Sequence, residues 1–305
     1  MLSVIVPVYN TINTIDRCIN SLLRQGLDDI RIILVDDGSN DGSEKKCDEW
    51  KEKDKRISVI HKTNGGLSDA RNKGLDLVKT QLVTFIDSDD FLQDNSYKEL
   101  LNVIQEHPEY DIVEFPVFVN FGSNKEFVMK FNNQTFMSFE DYWIKGRGYT
   151  HSYAWNKIYK TELFKDVKFP KGILFEDLHT MPLLMKHVKC LATVNCGVYY
   201  YCYNDAGITA NADGKALTMM LDAYMKVVDE NPGFIYDNEF YLELVNRQID
   251  AFINTGNKPV IPTRHINNIN ALNKKSYRWK ARIINICGVN NLCRLSKWHA
   301  KIRKA

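Results

Sequence analysis

The sequence predicts an α/β fold in which a mostly parallel sheet carries helices on both faces and a helical region follows. Three observations carry that expectation. Short apolar runs alternate with amphipathic segments through the first 120 residues, which is the pattern of a parallel sheet with crossover helices. Most of those runs end in loops rich in carboxylates or glycine, and ligands of open α/β sheets lie beyond the carboxyl ends of strands. After about Ala206 the apolar spacing turns helical.

Each element has a local reason. Ser3 to Val8 reads as a buried strand that ends in Tyr9-Asn10. Ile15, Cys18, Ile19, Leu22 and Leu23 recur at helical spacing and stop at Gly26. Ile30 to Val35 is a second strand, closed by Asp36-Asp37-Gly38-Ser39, and Ser43 is a candidate cap for a helix through Trp50. Ile57 to Ile60 is a third, after which Thr63-Asn64-Gly65-Gly66 turns the chain into a helix with Ala70, Leu75 and Val78. Leu82 to Ile86 is a fourth and ends in Asp87-Ser88-Asp89-Asp90. From Asp111 to Tyr203 the pattern is irregular, with one helix after Asp177, and reads as a mixed-sheet extension. Leu217 to Val228, Tyr236 to Ile253 and two short basic segments complete a helical region. The expected domains are 1–205, with halves 1–120 and 121–205, and 206–305.

At 305 residues, 44% hydrophobic and 26% charged, the chain falls in the globular range and can bury a sizeable core. No apolar run reaches about 18 residues, which argues against a membrane-spanning helix. The N-terminus has no basic stretch before its apolar run, so no signal peptide is expected. Seven cysteines without a Cys-x-x-Cys pair fit neither a disulfide framework nor a zinc ribbon and read as reduced, buried thiols.

Asp87-x-Asp89 at the end of an apolar strand is the most informative short motif. Two carboxylates so placed can share Mg²⁺ or Mn²⁺ with a phosphate-bearing ligand, because these cations take few protein oxygens and complete their shell with phosphate and water. Arg71 begins a helix near a neighbouring strand end, where it could meet a base edge or phosphate; the plainer alternative is a surface cation paired with Asp69 or Asp76. A Walker phosphate loop and a Gly-x-Gly-x-x-Gly fingerprint are both missing, which disfavours a dinucleotide cofactor.

Ser3-Val-Ile-Val-Pro-Val-Tyr-Asn10, Val35-Asp-Asp-Gly-Ser39, Ala70-Arg-Asn-Lys-Gly74 and Phe85-Ile-Asp-Ser-Asp-Asp90 resemble, in order and spacing, the successive motifs of family 2 inverting glycosyltransferases. The resemblance spans roughly residues 3 to 203. It implies the Rossmann-like GT-A fold, a nucleotide-diphosphate sugar donor and Mn²⁺ or Mg²⁺. The halves of the first domain then become a nucleotide-sugar-binding half (1–120) and an acceptor half (121–205). Pro7 and Tyr9 would border the nucleobase, and Asp37 would accept a hydrogen bond from uracil N3–H. Arg71 would lie near base or diphosphate. Asp87 would face ribose or metal, Asp89 would bind the metal, and Asp90 would be structural, as a cap of the next helix.

Phe175-Glu-Asp177 resembles the family's acidic motif, which implies Asp177 as catalytic base in preference to Glu176, beside it at the substrate; the plainer alternative for either is a carboxylate favoured by the helix N-terminus. Trp155-Asn-Lys-Ile-Tyr159 is similar to a segment lining the acceptor side, where Trp155 would offer a flat face to a sugar ring; the alternative is a core tryptophan. The family often carries Tyr-Tyr-Tyr-Arg-x-Arg where this chain has Tyr199-Tyr-Tyr-Cys-Tyr-Asn204, so a cationic diphosphate clamp is in doubt there. His179 is a metal ligand, an acceptor contact or a plain helix histidine.

The formal charge of +2 is a cancellation. Residues 251 to 305 hold 12 of the 40 Lys and Arg and none of the 38 Asp and Glu. Lys274, Lys275, Arg278 and Arg282 fall on one side of a helix, and Arg294, Lys297 and Lys301 oppose Leu292, Leu295, Trp298 and Ile302. Basic amphipathic segments of this kind suit an anionic membrane surface. No nucleic-acid recognition module accompanies the charge.

The expected activity is a metal-dependent inverting hexosyl transfer, from UDP-hexose or UDP-N-acetylhexosamine to a polyprenyl-diphosphate-linked saccharide. Its setting would be capsule, O-antigen or exopolysaccharide synthesis on the inner face of the cell membrane, by a cytoplasmic, peripheral protein. An aspartyl-phosphate phosphohydrolase and a non-catalytic sugar-nucleotide-binding scaffold are the alternatives.

Overall fold

The structure is a computed structural model that describes residues 1–205, 207 and 211–302. Ala206, Arg303 and Lys304, counted above in the helical region and its basic tail, lie outside the described residues. In chain order the elements are β1 (Leu2–Val8), α1 (Ile15–Leu23), β2 (Arg31–Asp36), α2 (Ser43–Lys53), β3 (Ile57–His61), α3 (Leu67–Leu75), β4 (Leu82–Phe85), β5 (Phe91–Leu92), α4 (Ser96–Glu106), β6 (Ile112–Glu114) and β7 (Val117–Phe121). They continue with β8 (Phe127–Met129), β9 (Gln134–Phe136), β10 (Lys157–Lys160), α5 (Glu176–Met185), β11 (Leu191–Thr193), β12 (Tyr199–Cys202), α6 (Gly214–Glu230), α7 (Asn238–Thr255) and α8 (Lys275–Ile302).

The chain forms two compact units. One comprises Met1–Tyr142 and His151–Asn204; the other comprises Trp143–Thr150 and the described residues of 205–305. The first is built on an eight-stranded sheet in the order β3-β2-β1-β4-β10-β6-β11-β9. Its β1, β2, β3 and β4 pairings are parallel, as the alternating pattern predicts. Beyond β4 the sheet turns mixed, because β10 runs antiparallel to both β4 and β6. A smaller sheet, β5-β12-β7-β8, stands beside it.

β1 is buried along its whole length, which explains its continuous apolar sequence. One apolar core lies between this sheet and α1 and α4. The other packs against α3 and α5. Gly74 sets the approach of α3, since a Cβ there would sit 2.4 Å from Ile5 Cγ2.

Ser43 is not the cap of α2 that the sequence suggested. It is the first helical residue, behind Gly42 in left-handed geometry, and its hydroxyl instead accepts the Thr11 N–H at 2.9 Å. Asp90 does not cap α4 either. Its buried carboxylate accepts the Tyr199 hydroxyl and the Cys202 N–H, both at 2.7 Å, and so fastens β12 to the end of β4.

In the second unit α6 and α7 start at true caps, Asp213 and Asp237. α8 kinks at Gly288 (φ 78°), so the two basic segments are the two arms of one bent helix. Tyr277, Ala281, Ile284, Val289, Leu292 and Cys293 are buried. Tyr277 donates to Glu243 of α7 at 2.7 Å. No helix of the described residues is long and apolar enough to cross a membrane.

Candidate active site

The loops after β1, β2 and β4 gather at one end of the large sheet. After β2 the chain turns sharply at Gly38 (φ 77°), where a Cβ would lie 2.9 Å from the Asn64 nitrogen. That turn buries Asp37, whose Oδ1 accepts Gly65 N–H at 2.9 Å and whose Oδ2 accepts Gly66 N–H at 2.7 Å. Lys62 adds an ion pair to Oδ1 and a second to Asp69 at 2.7 Å. One lone pair of Oδ2 takes no hydrogen bond among the described residues. Pro7 is buried opposite Val35, and Tyr9 just beyond it is 51% exposed.

The segment Ala70-Arg-Asn-Lys-Gly74 divides its work by residue. Asn72 exchanges two hydrogen bonds with the Phe169 backbone, at 2.8 and 2.9 Å, and Lys73 faces solvent. Arg71 points inward and is 1% exposed. Its Nη1 donates to Glu176 Oε1 at 2.5 Å and to Asp177 Oδ1 at 2.9 Å, and its Nη2 donates to Asp87 Oδ1 at 3.0 Å. Phe169 and Phe85 flank the guanidinium at 5.3 and 5.9 Å. Arg71 is therefore not a surface cation of Asp69 or Asp76. Asp69 pairs with Lys62 and Lys171 instead.

These contacts bring together Arg71, Asp87, Glu176 and Asp177, with Asp89 two residues along from Asp87. Burial alone would strip charge from Arg71, but Asp177, Asp87 and Glu176 outweigh it and raise its pKa. Burial, then the Asp177 charge, push Glu176 up to about 7 against the pull of Arg71. Burial likewise raises Asp177, with Arg71 opposing. Asp177 Oδ2 also accepts the Ala154 N–H at 3.1 Å, so the carboxylate is held at both oxygens. A small cleft opens beside it, lined by Ser152, Ala154, Tyr159, Phe169 and Met181 among others.

Asp89 is raised by burial and by the neighbouring Asp87 charge. Asn204, at one of the positions where arginine was missed, donates to Asp89 Oδ2 at 2.9 Å. Arg17 of α1 donates to the Asp89 carbonyl at 2.5 Å and reaches Cys202 Sγ at 3.2 Å. Among the described residues no group of three or more His, Cys, Asp and Glu converges on a cation position. Two neighbouring carboxylates without a closed cage are still a fitting donor set for Mg²⁺ or Mn²⁺, which draw their other ligands from phosphate and water.

Trp155 needs correction. It is 5% exposed, and its ring stacks on Tyr153, Tyr199 and Tyr201 at 4.6, 4.4 and 5.4 Å, so it presents no open face to a sugar. His179 lies on α5, partly buried.

Sequence reasoning missed a second charged cluster. Glu114 Oε1 accepts His151 Nδ1 at 2.8 Å and Asn156 Nδ2 at 3.2 Å and pairs with Lys157 Nζ at 2.8 Å, while Tyr142 donates to Oε2 at 3.0 Å. Lys157 also donates to the His151 and Tyr153 carbonyls at 2.8 Å. The signal was present: Glu114 and Lys157 are charges inside apolar strand patterns, Ile-Val-Glu-Phe and Lys-Ile-Tyr.

A model described as Glycosyl transferase family 2 matches residues 3–168. The chain is 32% identical over 213 residues to Glycosyltransferase GlyG of Streptococcus pneumoniae serotype 4, covering 66% of this chain and 70% of that protein. It is 30% identical over 221 residues to the Minor teichoic acid biosynthesis protein GgaB of Bacillus subtilis (strain 168), covering 70% of this chain but only 24% of that longer protein. Among solved structures, S. aureus TarS 1-349 in complex with UDP-GlcNAc superposes with a TM-score of 0.71 at 20% identity, over 98% of this chain and 91% of that one. That last likeness is one of fold.

Proposed function

Because the chain belongs to glycosyl transferase family 2, and is therefore a glycosyltransferase with the GT-A fold, we propose that it transfers one hexose or N-acetylhexosamine from a UDP-sugar to a hydroxyl of a lipid-linked saccharide, with inversion. Family membership sets aside the phosphohydrolase and scaffold alternatives. One observation carries the reading: Arg71 ties the donor-side carboxylate Asp87 and the acidic pair Glu176-Asp177 into one site.

Pro7, Tyr9 and Asp37 would receive the nucleobase, the free lone pair of Asp37 Oδ2 facing an N–H donor. Asp177 takes the proton from the acceptor hydroxyl as that oxygen bonds to the anomeric carbon and the bond from that carbon to the diphosphate oxygen breaks. UDP leaves on the opposite face. A divalent cation held by Asp89, with Asp87 beside it, would supply positive charge to the departing diphosphate. The test is a thermal-shift panel of UDP, GDP and their sugars with and without Mn²⁺, followed by assay of nucleotide release. Stabilisation by uridine nucleotides is expected; no shift with any uridine or guanosine nucleotide would sink the proposal.

The setting is synthesis of a surface polysaccharide (capsule, O-antigen or exopolysaccharide) on a polyprenyl-diphosphate carrier at the inner face of the membrane. A relative named for teichoic acid biosynthesis supports it. The face of α8 turned from its buried residues supports membrane contact: Lys275, Trp279, Arg282 and Ile286 follow at helical spacing and are all exposed, Ile286 at 85%. Past the kink, Arg294, Leu295, Trp298 and Lys301 are exposed too, Trp298 at 64%. Each cation near an anionic surface adds about 1 kcal/mol. Deleting this helix would uncover core residues, so point changes make the cleaner test. Trp279→Ser, Ile286→Ser and Trp298→Ser together should release the protein from phosphatidylglycerol vesicles with its melting temperature unchanged. Undiminished vesicle binding would refute membrane attachment through this face.

A further inference from the structure

The reaction above uses Asp87, Asp89 and Asp177 and gives no task to the side chain that touches two of them. Arg71 was expected to meet the donor. Its surroundings point elsewhere, because both terminal nitrogens are committed to carboxylates of the protein. The remaining donor, Nε, is buried without a hydrogen-bond partner among the described residues, in the wall formed with Phe85 and Phe169. A guanidinium that is 1% exposed, with its fork spent and its stem enclosed by rings, has little left to offer a diphosphate.

We infer that Arg71 is a positioning residue, a strut that locks the base Asp177 in place against the strand end bearing Asp87, and not a ligand of the donor. The inference rests on the transferase reading and deepens it. Asp177 belongs to α5 and Asp87 to the end of β4, 90 residues apart in the chain. One rigid planar group holds both, Nη2 on Asp87 and Nη1 on Asp177. The Ala154 N–H fixes the second oxygen of Asp177, yet each oxygen keeps a lone pair with which to take a proton. The strut is itself held, since Asn72, the next residue, is clamped to the backbone of Phe169. A lysine could not replace it, because a single ammonium lacks the planar fork that engages two sites in fixed directions.

The experiment compares Arg71→Lys and Arg71→Gln with wild type, using UDP and Mg²⁺ in calorimetry and the donor identified by the nucleotide panel in kinetics. A strut predicts that Kd for UDP stays within about threefold while kcat falls on the order of 100-fold, the typical cost of a misplaced catalytic group. In Arg71→Gln the acidic limb of the kcat/KM profile should also move to higher pH, because Asp177 loses its counter-charge. A tenfold weaker UDP affinity with kcat retained would make Arg71 a donor ligand and overturn the inference. A kcat within threefold of wild type would overturn it too.

If neither variant folds, ¹⁵N-arginine spectra of the wild type decide. The Arg71 guanidinium should rotate slowly and its Nε signal stay in place when UDP and Mg²⁺ are added; free rotation or a large shift refutes the strut. Failure of the transferase reading would look different, as wild-type protein that releases no UDP from any donor.

Discussion

Two buried charge clusters in the first unit use the same residue types to opposite ends. Around Glu114 one carboxylate meets Lys157 and His151, with Tyr142 and Asn156 completing its hydrogen bonds. Burial would raise the Glu114 pKa, but the His151 and Lys157 charges hold it down to about 2. Around Arg71 the ratio is inverted, with one cation among three carboxylates, and both Glu176 and Asp177 are pushed up. A balanced cluster with its lone pairs filled acts as scaffold. An under-compensated one has carboxylates ready to exchange protons or accept a cation, and perturbed groups of that kind collect at functional sites. Charge balance, more than burial, separates the two.

The largest effect that would break this comparison is loss of the scaffold. Glu114→Ala leaves the fully buried Lys157 without its counter-charge, and removing one member of a buried pair costs about 3–5 kcal/mol. Chemical denaturation should show that loss, with specific activity of the remaining folded protein nearly unchanged. A destabilisation below about 1 kcal/mol would mean the cluster is not what holds β6 to β10.

Asp177→Asn should do the reverse. Removing a general base typically costs 10²–10⁴ in rate. Here the change also removes one of two like charges beside Glu176, so the melting temperature should hold or rise. Near wild-type kcat would pass the base role to Glu176 or to water. A large fall in stability would place Asp177 with the scaffold.

The two clusters also differ in how far the sequence revealed them. The parallel half of the sheet was legible because fully buried strands are continuous apolar runs, such as Val4 to Val8 and Ile32 to Val35. The carboxylates Asp87, Asp89 and Asp177 could be picked out because each sits at an element end in a recognisable motif. Arg71 was picked out by its motif as well, but that it is their common partner could not be read. Arg71 lies 16 residues from Asp87 and 106 from Asp177, and only the packing of α3 and α5 on one face of the sheet brings them together. Trp155 was misread for a related reason. An aromatic ring in a loop-like stretch looks available, yet three tyrosines from two segments close over it. The Glu114–Lys157 pair was overlooked although a charge inside an apolar strand is itself a sign of a buried partner.

The smallest effect is the sharpest test of the contrast, because it turns on a sign. Glu114 has a depressed pKa in the folded state, so its stabilising contribution is present above the unfolded value of about 4.3 and is lost as pH falls toward about 2. Glu176 is raised to about 7, so the folded state holds a proton the unfolded chain has released, and stability is lost as pH rises between about 4.3 and about 7. Glutamine at position 176 cannot ionise and escapes that loss. Glu176→Gln should therefore match wild type near pH 4.5 and exceed it by on the order of 1–2 kcal/mol at pH 8. The gain stops short of the full shift because Asp177 and Arg71 readjust when the neighbouring charge disappears. Denaturant melts of both proteins across that range would give the difference directly. Parallel curves would mean that Glu176 is already ionised at neutral pH, and that the Arg71 cluster is as well balanced as the one around Glu114.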